Sequence, residues 1–425
     1  MAFLLVIILL VLFFMNVPVF IGIGLATLAV VTLSGDIQLI KLPQSMFSSL
    51  DSITLMAIPF FVLAGKLMEF GGISERLIDL AKSFVGHYRG GLAHVSIMAS
   101  IFFAAISGSA IATTVAIGSI MIPSMVKLGY DRNFAAALHA SAGNIGGIIP
   151  PSIPMVLYAV AGGVSVGQMF IAGIIPGLLI GVSFMFLSYF IARKEGYETT
   201  EKRGYGDLIV TFRKSILALL MPVIILGGIY GGIFTPTEAA AVAVAYGFIV
   251  GTFVYKEINL SILRKILIST VLTTSSLCLI IATASFFGMF LILDRVPQNL
   301  AAAIESANLG PVAAMLLINL LLLLLGTFMD AAAALIITTP ILLPVAVNLG
   351  FDPIHFGIIL IVNLSIGVLT PPLGVNLFVA SKVANTTFEG AVRKVIPFIL
   401  IMIVDLILII FLPQISSGFA ELMFN

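Results

Sequence analysis

The sequence has one cysteine, no tryptophan and very little charge: of 425 residues, 9% are Asp, Glu, Lys or Arg, with 20 basic side chains against 19 acidic. A single thiol, Cys278, excludes a disulfide within the chain and argues against a cysteine-based metal centre. His94, His139 and His355 do not share metal-ligand spacing with one another. A net charge of +1 gives no reason to expect nucleic acid as a partner. Neither a His-Glu-x-x-His zinc motif nor a Gly-x-x-x-x-Gly-Lys phosphate loop is present, so metalloprotease chemistry and ATP-driven pumping lack their usual carriers. Soluble domains carry about a quarter charged residues, and this chain lacks the polar surface that a soluble enzyme of its length needs.

What is abundant is apolar: 60% of the chain is hydrophobic. At roughly 20 residues per span, that is enough for about a dozen membrane elements. Backbone groups at bilayer depth must be satisfied internally, so the predicted architecture is all-α and polytopic. From Ala2 to Ile8 the chain is apolar with no basic leader or cleavage site, which reads as a retained signal-anchor span. Charges gather in islands. The longest, Arg193 to Lys214, holds six basic and four acidic residues and reads as a loop between two halves. Its basic residues mark it as a candidate cytoplasmic loop. Residues 74–88 mix charge with Leu77, Ile78, Leu80 and Phe84, as in an amphipathic helix lying along the interface.

An internal repeat is the strongest signal. A shift of 221 residues places Pro123 on Pro344, Pro150-Pro151 on Pro371-Pro372 and Pro176 on Pro397 without a gap. Leu128-Gly129, Asp131 and Ile145-Gly146 fall on Leu349-Gly350, Asp352 and Ile366-Gly367 under the same shift. Two copies of one membrane unit are characteristic of secondary transporters, whose sites form at the repeat interface from discontinuous helices. The predicted division is a first repeat over 1–200, a loop over 201–214 and a second repeat over 215–425. Each copy contains two segments unfit to span as plain helices. Candidate re-entrant hairpins cover about 91–128 and 311–349, with small and hydroxylated residues mid-run. Candidate broken helices cover about 133–163 and 354–384, where consecutive prolines remove donors and force unwinding. A last span covers about 391–413.

Freed carbonyls at bilayer depth are tolerated inside protein, where they can coordinate a cation. Hard cations such as Na⁺ prefer oxygen ligands, by the logic that governs Ca²⁺ and Mg²⁺. Pairing each hairpin tip with its unwound helix gives two candidate cages: Ser107, Ser109, Asn144 and Gly146 in the first copy, and Gly326, Thr327, Asp330, Gly367 and Thr370 in the second. The bland alternative is that the small residues only permit close helix packing. Asp330 is isolated in an apolar region, which makes it a functional candidate; it also suits a helix N-cap, and both readings hold together if the cap faces the cation. Thr235, Pro236 and Glu238 form an expected capping box. Asp405 reads as an interhelical or subunit contact. Tyr130-Asp131 and Tyr205-Gly206-Asp207 imitate an intramembrane aspartyl protease, but that chemistry needs two facing carboxylates within adjacent spans. An ion channel is the other alternative, although a site duplicated within one chain points to alternating access.

Ser107-Gly108-Ser109-Ala110, Pro150-Pro151-Ser152-Ile153-Pro154, Phe234-Thr235-Pro236-Thr237-Glu238-Ala239-Ala240 and Leu369-Thr370-Pro371-Pro372-Leu373-Gly374-Val375-Asn376 resemble the large membrane subunit of tripartite ATP-independent periplasmic (TRAP) transporters, across nearly the whole chain. That resemblance implies Na⁺-coupled uptake of a small organic acid, a C4-dicarboxylate or a sialic acid, across a bacterial inner membrane, with no ATP and no organic cofactor. It implies two partners, a small four-helix membrane subunit and a periplasmic substrate-binding protein. It further implies inverted repeats and a hairpin-built transport domain that moves as an elevator against a static scaffold. Ser107, Ser109 and Asn144 would then serve one Na⁺, and Gly326, Thr327, Asp330, Gly367 and Thr370 a second. The half-helix N-termini after the breaks would face the substrate anion, which nominates Pro150, Pro151, Ser152, Pro371, Pro372 and Asn376. Lys382 and Arg295 either assist there or snorkel to the interface.

Overall fold

A computed structural model of the chain describes residues 1–15, 17–35, 37–197, 205–307 and 309–424. Its helices, in order, are α1 (Ala2–Phe14), α2 (Val19–Ser34), α3 (Lys41–Leu50), α4 (Ala57–Phe70), α5 (Ile73–Val85), α6 (Gly91–Ser107), α7 (Ala110–Lys127), α8 (Arg132–Asn144), α9 (Ile153–Gly162) and α10 (Val166–Glu195). They continue with α11 (Tyr205–Tyr230), α12 (Pro236–Ile249), α13 (Leu260–Leu293), α14 (Val296–Ser306), α15 (Pro311–Phe328), α16 (Ala331–Asn348), α17 (Pro353–Gly367), α18 (Val375–Ala384), α19 (Phe388–Phe411) and α20 (Ser417–Phe424). No strand occurs among the described residues. Eight helical segments among them are long and apolar enough to cross a membrane; α3 and α4, bent by 63° at their break, make a ninth if taken as one span. The chain is a multi-pass, all-helical membrane protein.

The helix starts follow from side chains that satisfy otherwise unpaired N–H groups. Ser109, Asp131, Ser152, Asn259, Asp330 and Asp352 each accept from a backbone N–H in the first turn of the helix they open. Such a cap is worth about 1 kcal/mol in water, and more is at stake where no water competes. The expected capping box is present in full: Glu238 accepts from Thr235 N–H at 2.8 Å, and Thr235 Oγ1 accepts from Glu238 N–H at 3.3 Å. Gly108 and Gly163 end α6 and α9 at positive φ, a region open to glycine at little cost.

Three sequence expectations differ from the structure. The loop over 201–214 is shorter than its polar composition suggests, because α11 begins at Tyr205. Leu208, Ile209, Val210 and Phe212 carry the helix into the charged stretch, and residues 198–204 lie outside the described residues. The N-terminal span stops at Phe14, so α1 has 13 residues, fewer than the roughly 20 that a full crossing takes; Pro18 precedes α2, and the two helices pack together. The chain also carries α20 beyond the last predicted span.

The 221-residue shift reaches beyond the prolines. Applied to α7 it returns the bounds of α16, and α5, α6, α8, α9 and α10 fall within a few residues of α14, α15, α17, α18 and α19 at their starts. Asp131 and Asp352 both open helices, as do Ser109 and Asp330. Gly129 and Gly350 both have positive φ, and both Pro-Pro bonds are cis. The halves differ where α3 and α4 are bent, since the corresponding region is the unbroken α13.

The helices pack in two groups that also meet directly, α13 on α16 and α4 on α6. One contains α1 to α4 with α11 to α13; the other contains α6 to α10 with α15 to α20. The matching helices α5 and α14 touch both groups, α5 through α6 and α11, α14 through α13 and α16. Helix α5 buries Ile73, Leu77, Ile78 and Ala81 and exposes Glu75, the amphipathic pattern read from residues 74–88.

Candidate functional site

Each predicted hairpin tip meets the break predicted for its own half. In the first, Ile153 N–H at the start of α9 donates to Gly108 C=O in the α6–α7 turn at 3.1 Å. In the second, Leu373 N–H donates to Thr327 C=O at 3.3 Å. Glycines permit these approaches. A Cβ on Gly146 would collide with Thr113 Oγ1 and Ser109 C=O, and one on Gly367 would stand 2.6 Å from Gly326 Cα.

The structure therefore gathers the first set of residues. Ser107 Oγ lies 2.8 Å from Thr113 Oγ1, which donates to Ser109 C=O at 2.9 Å. Asn144, 1% exposed, donates through Nδ2 to Ser365 C=O, so positions 221 apart touch across the two halves. Its Oδ1 is buried with no hydrogen-bond partner among the described residues. In the second set Thr327 and Thr370 donate their hydroxyls back to Leu324 and Ile366 C=O, each at 2.8 Å, which leaves their oxygen lone pairs available. Asp330 Oδ2 accepts from Ala332 N–H at 3.0 Å. The dual reading of Asp330 thus has its capping half in place.

One central cavity of about 200 Å³ is lined by Ser109 and Asn144 of the first set and by Asp330 alone of the second, with Ser365 and Asn376 beside them. No group of three or more His, Cys, Asp or Glu residues is placed to hold a metal among the described residues. The donors around the cavity are carbonyl, hydroxyl, amide and one carboxylate, a set that suits a hard monovalent cation. The orphaned Asn144 Oδ1 fits such an ion, since a buried acceptor without a partner is costly to keep.

The nominated substrate contacts fare unevenly. Asn376 is already committed: its Oδ1 accepts from Thr114 Oγ1 at 2.9 Å and its Nδ2 donates to Ala140 C=O at 2.7 Å. It ties α18 to α7 and α8, so its side chain holds the halves together at the cavity wall. Ser152 donates to Gly147 C=O at 2.6 Å and caps α9. Pro150 and Pro151 are buried, whereas Pro371 and Pro372 are partly or fully exposed. Lys382 stands over the Phe378 ring at 4.4 Å and does not line the central cavity. Thr113 and Ser365 are site neighbours that sequence reasoning missed as members; only the small-residue run and the break around them signalled it.

The remaining candidates have structural partners. Asp405, 2% exposed, accepts from Ser183 Oγ at 2.8 Å and joins α19 to α10. His139 and His355 are buried and bonded through Nδ1 to Ala135 C=O and Ser416 Oγ. Asp131 caps α8 and pairs with Lys394 at 3.3 Å, and Lys394 also reaches Glu195 at 3.8 Å. Beside them Tyr130 stacks on Tyr197 at 4.0 Å between ring centroids, and burial pushes the Tyr130 phenol up to about 12. A carboxylate spent on a cap and an ion pair at a helix end does not serve as half of a protease dyad, and the side chain of Asp207 lies outside the described residues.

A family model described as the tripartite ATP-independent periplasmic transporter, DctM component, matches residues 6–415. The isethionate TRAP transporter permease protein DctMQ of Oleidesulfovibrio alaskensis is 45% identical over 95% of this chain; the chain spans 64% of that relative's length. The C4-dicarboxylate TRAP transporter large permease protein DctM of Pseudomonas aeruginosa is 42% identical, over 93% of this chain and 92% of its own. The sialic acid TRAP transporter large permease protein SiaM of Vibrio cholerae is also 42% identical, over 97% and 96%. The fold is similar to that of the Alcanivorax borkumensis YdaH transporter, with a TM-score of 0.62 at 15% identity over 88% of this chain and 87% of that one. These relatives are permeases, not enzymes.

Proposed function

The chain belongs to the DctM component family of tripartite ATP-independent periplasmic transporters, and on that premise we propose that it is the large permease subunit of a Na⁺-coupled importer of a small organic acid. The observation that carries this reading is the convergence of two tip-and-break pairs on one cavity lined by Asn144, Asp330 and Ser365. Ser107, Ser109, Asn144 and Gly146 hold one Na⁺; Gly326, Thr327, Asp330, Gly367 and Thr370 hold a second. The bound ions supply positive charge at the central cavity, whose lining holds no Lys, Arg or His among the described residues. An organic anion is then stabilised where burying it alone would be costly.

The two halves are inverted repeats, 1–200 and 215–425 around the central segment, and α6–α7 and α15–α16 are re-entrant hairpins. The group containing α6 to α10 and α15 to α20 moves as an elevator along the group containing α1 to α4 and α11 to α13, with α5 and α14 as the arms between them. The two-group packing supports that division. Both sites sit in the moving group, so Na⁺ and acid cross together. The setting is a bacterial inner membrane, with a small membrane subunit and a periplasmic binding protein as partners. The relatives' names set the substrate panel: a C4-dicarboxylate, a sialic acid and isethionate.

The test is reconstitution of this chain with its small subunit in vesicles, offering the three acids with and without the binding protein and with and without an inward Na⁺ gradient. Uptake of one acid that needs both the gradient and the binding protein is expected. Uptake that requires ATP, or ion current without acid, overturns the reading in favour of a pump or a channel.

A further inference from the structure

Lys66 is a cation on an apolar helix, placed between Leu63 and Leu67 on α4. Such a group at membrane depth faces protein or a cavity and needs a partner. Its Nζ donates to Ser269 Oγ of α13 at 2.7 Å. An ammonium has three protons to donate, and this acceptor is neutral. Glu69 follows one turn later on the same wall; the two are not within ion-pair distance among the described residues, although the Lys66 charge acts on the Glu69 carboxyl. Both border a cavity of about 350 Å³ whose opposite wall is the first tip, with Ser107 and Ser109.

This cavity adjoins the central one, since Ser109, Ile111, Ile153 and Thr273 line both. It lies where the two helix groups meet: a Cβ on Gly65 would stand 3.2 Å from Ser107 Cα and from Ser107 C=O. The main chains of α4 and the tip are therefore in contact next to Lys66. Helix α7 opens on the same space, and the positive end of its dipole favours an anion there. No charge stands at the matching places in the second half. Positions 221 residues after Lys66 and Glu69 are Phe287 and Phe290, both buried in α13. The cation is thus one-sided, as suits one anionic ligand per chain.

We propose that Lys66, positioned by Ser269 on the static side, receives an anionic oxygen group of the transported acid, a carboxylate or a sulfonate, where α4 and α13 meet the first tip, and gives it up when the tip moves away. This rests on the transport reading above and adds the residue that recognises the acid's charge. Equilibrium binding of the three panel acids to the detergent-purified chain and small subunit, in saturating Na⁺, tests it for wild type, Lys66→Gln and Lys66→Arg. Uptake is measured in parallel in phosphatidylcholine vesicles, which offer no net anionic lipid to fill the cavity. Lys66→Gln is expected to weaken binding of the acid that wild type binds by about tenfold or more, while Lys66→Arg retains most of it. The Na⁺ half-saturation measured without acid should stay at the wild-type value in both, a readout that a merely structural role would not spare. Equal affinity in wild type and Lys66→Gln overturns the proposal. Because binding is read without a gradient, failure of Na⁺-driven uptake in wild type would sink the transport reading while leaving the Lys66 result standing.

Discussion

Replacing Gly367 by alanine puts a methyl group at the crossing of α15 and α17. That Cβ would stand 2.6 Å from Gly326 Cα, 2.7 Å from its carbonyl carbon and 2.9 Å from its oxygen, where ordinary contact begins at 3.4 Å. All three are main-chain atoms, so no side chain can swing away, and the helices must part by about 0.8 Å. Overpacking of this kind costs about 1–3 kcal/mol. If the whole cost fell on the proposed second Na⁺ site, the Na⁺ half-saturation would rise roughly 5- to 150-fold. Two neighbours grade the effect. At Gly326 a Cβ meets Gly367 Cα at 3.1 Å and Leu364 Cδ2 at 3.5 Å; at Gly147 the nearest atoms are 3.7 and 4.0 Å away. Detergent melting curves with and without Na⁺, together with the Na⁺ dependence of uptake, should therefore rank Gly367→Ala as most damaged, then Gly326→Ala, with Gly147→Ala close to wild type. A Gly367→Ala protein that melts normally and keeps its Na⁺ half-saturation would refute the close-crossing argument, and a worse Gly147→Ala would invert it.

Asp330→Ala should abolish Na⁺-dependent uptake while the protein is still made and inserted, because α16 keeps its packing against α9, α13 and α17 when the cap is lost. Asp330→Asn keeps the capping oxygen and should melt closer to wild type yet still fail to respond to Na⁺; undiminished transport in either removes Asp330 from the site. Glu238→Gln weakens the capping box of α12 and should lower the melting temperature with the Na⁺ half-saturation unchanged, so lost uptake at a normal melting temperature would reverse its structural assignment. Ser183→Ala takes the donor from the buried Asp405 carboxyl, a loss of about 1–3 kcal/mol, which should appear in melting and not in Na⁺ affinity.

Features governed by local covalent geometry were legible from the amino acids alone. Pro150-Pro151 and Pro371-Pro372 break their helices because proline cannot donate or tolerate a helical predecessor, and Thr235 with Glu238 caps because the spacing matches one helical turn. The pairing of each tip with the break of its own half was legible through the repeat. Cross-half partners were not: Asn376 with Thr114 and Ala140, Asn144 with Ser365, and Lys66 with Ser269 lie far apart in sequence, and no periodicity encodes which faces meet. For the same reason Asn376 reads from sequence as a free polar group beside a break, whereas packing spends both ends of its amide. The polar stretch before Lys214 read as loop because charge alone does not end a helix, and the apolar face beginning at Leu208 sustains one.

On the proposed function, two oxygen-lined sites move Na⁺ together with the acid. Simultaneous measurement of ²²Na⁺ and labelled acid entering vesicles that contain this chain, its small subunit and the binding protein tests it most directly. Two or more Na⁺ per acid are predicted, with Na⁺ influx collapsing in Asp330→Ala. Acid uptake with no accompanying ²²Na⁺, or a ratio untouched by that substitution, would contradict it.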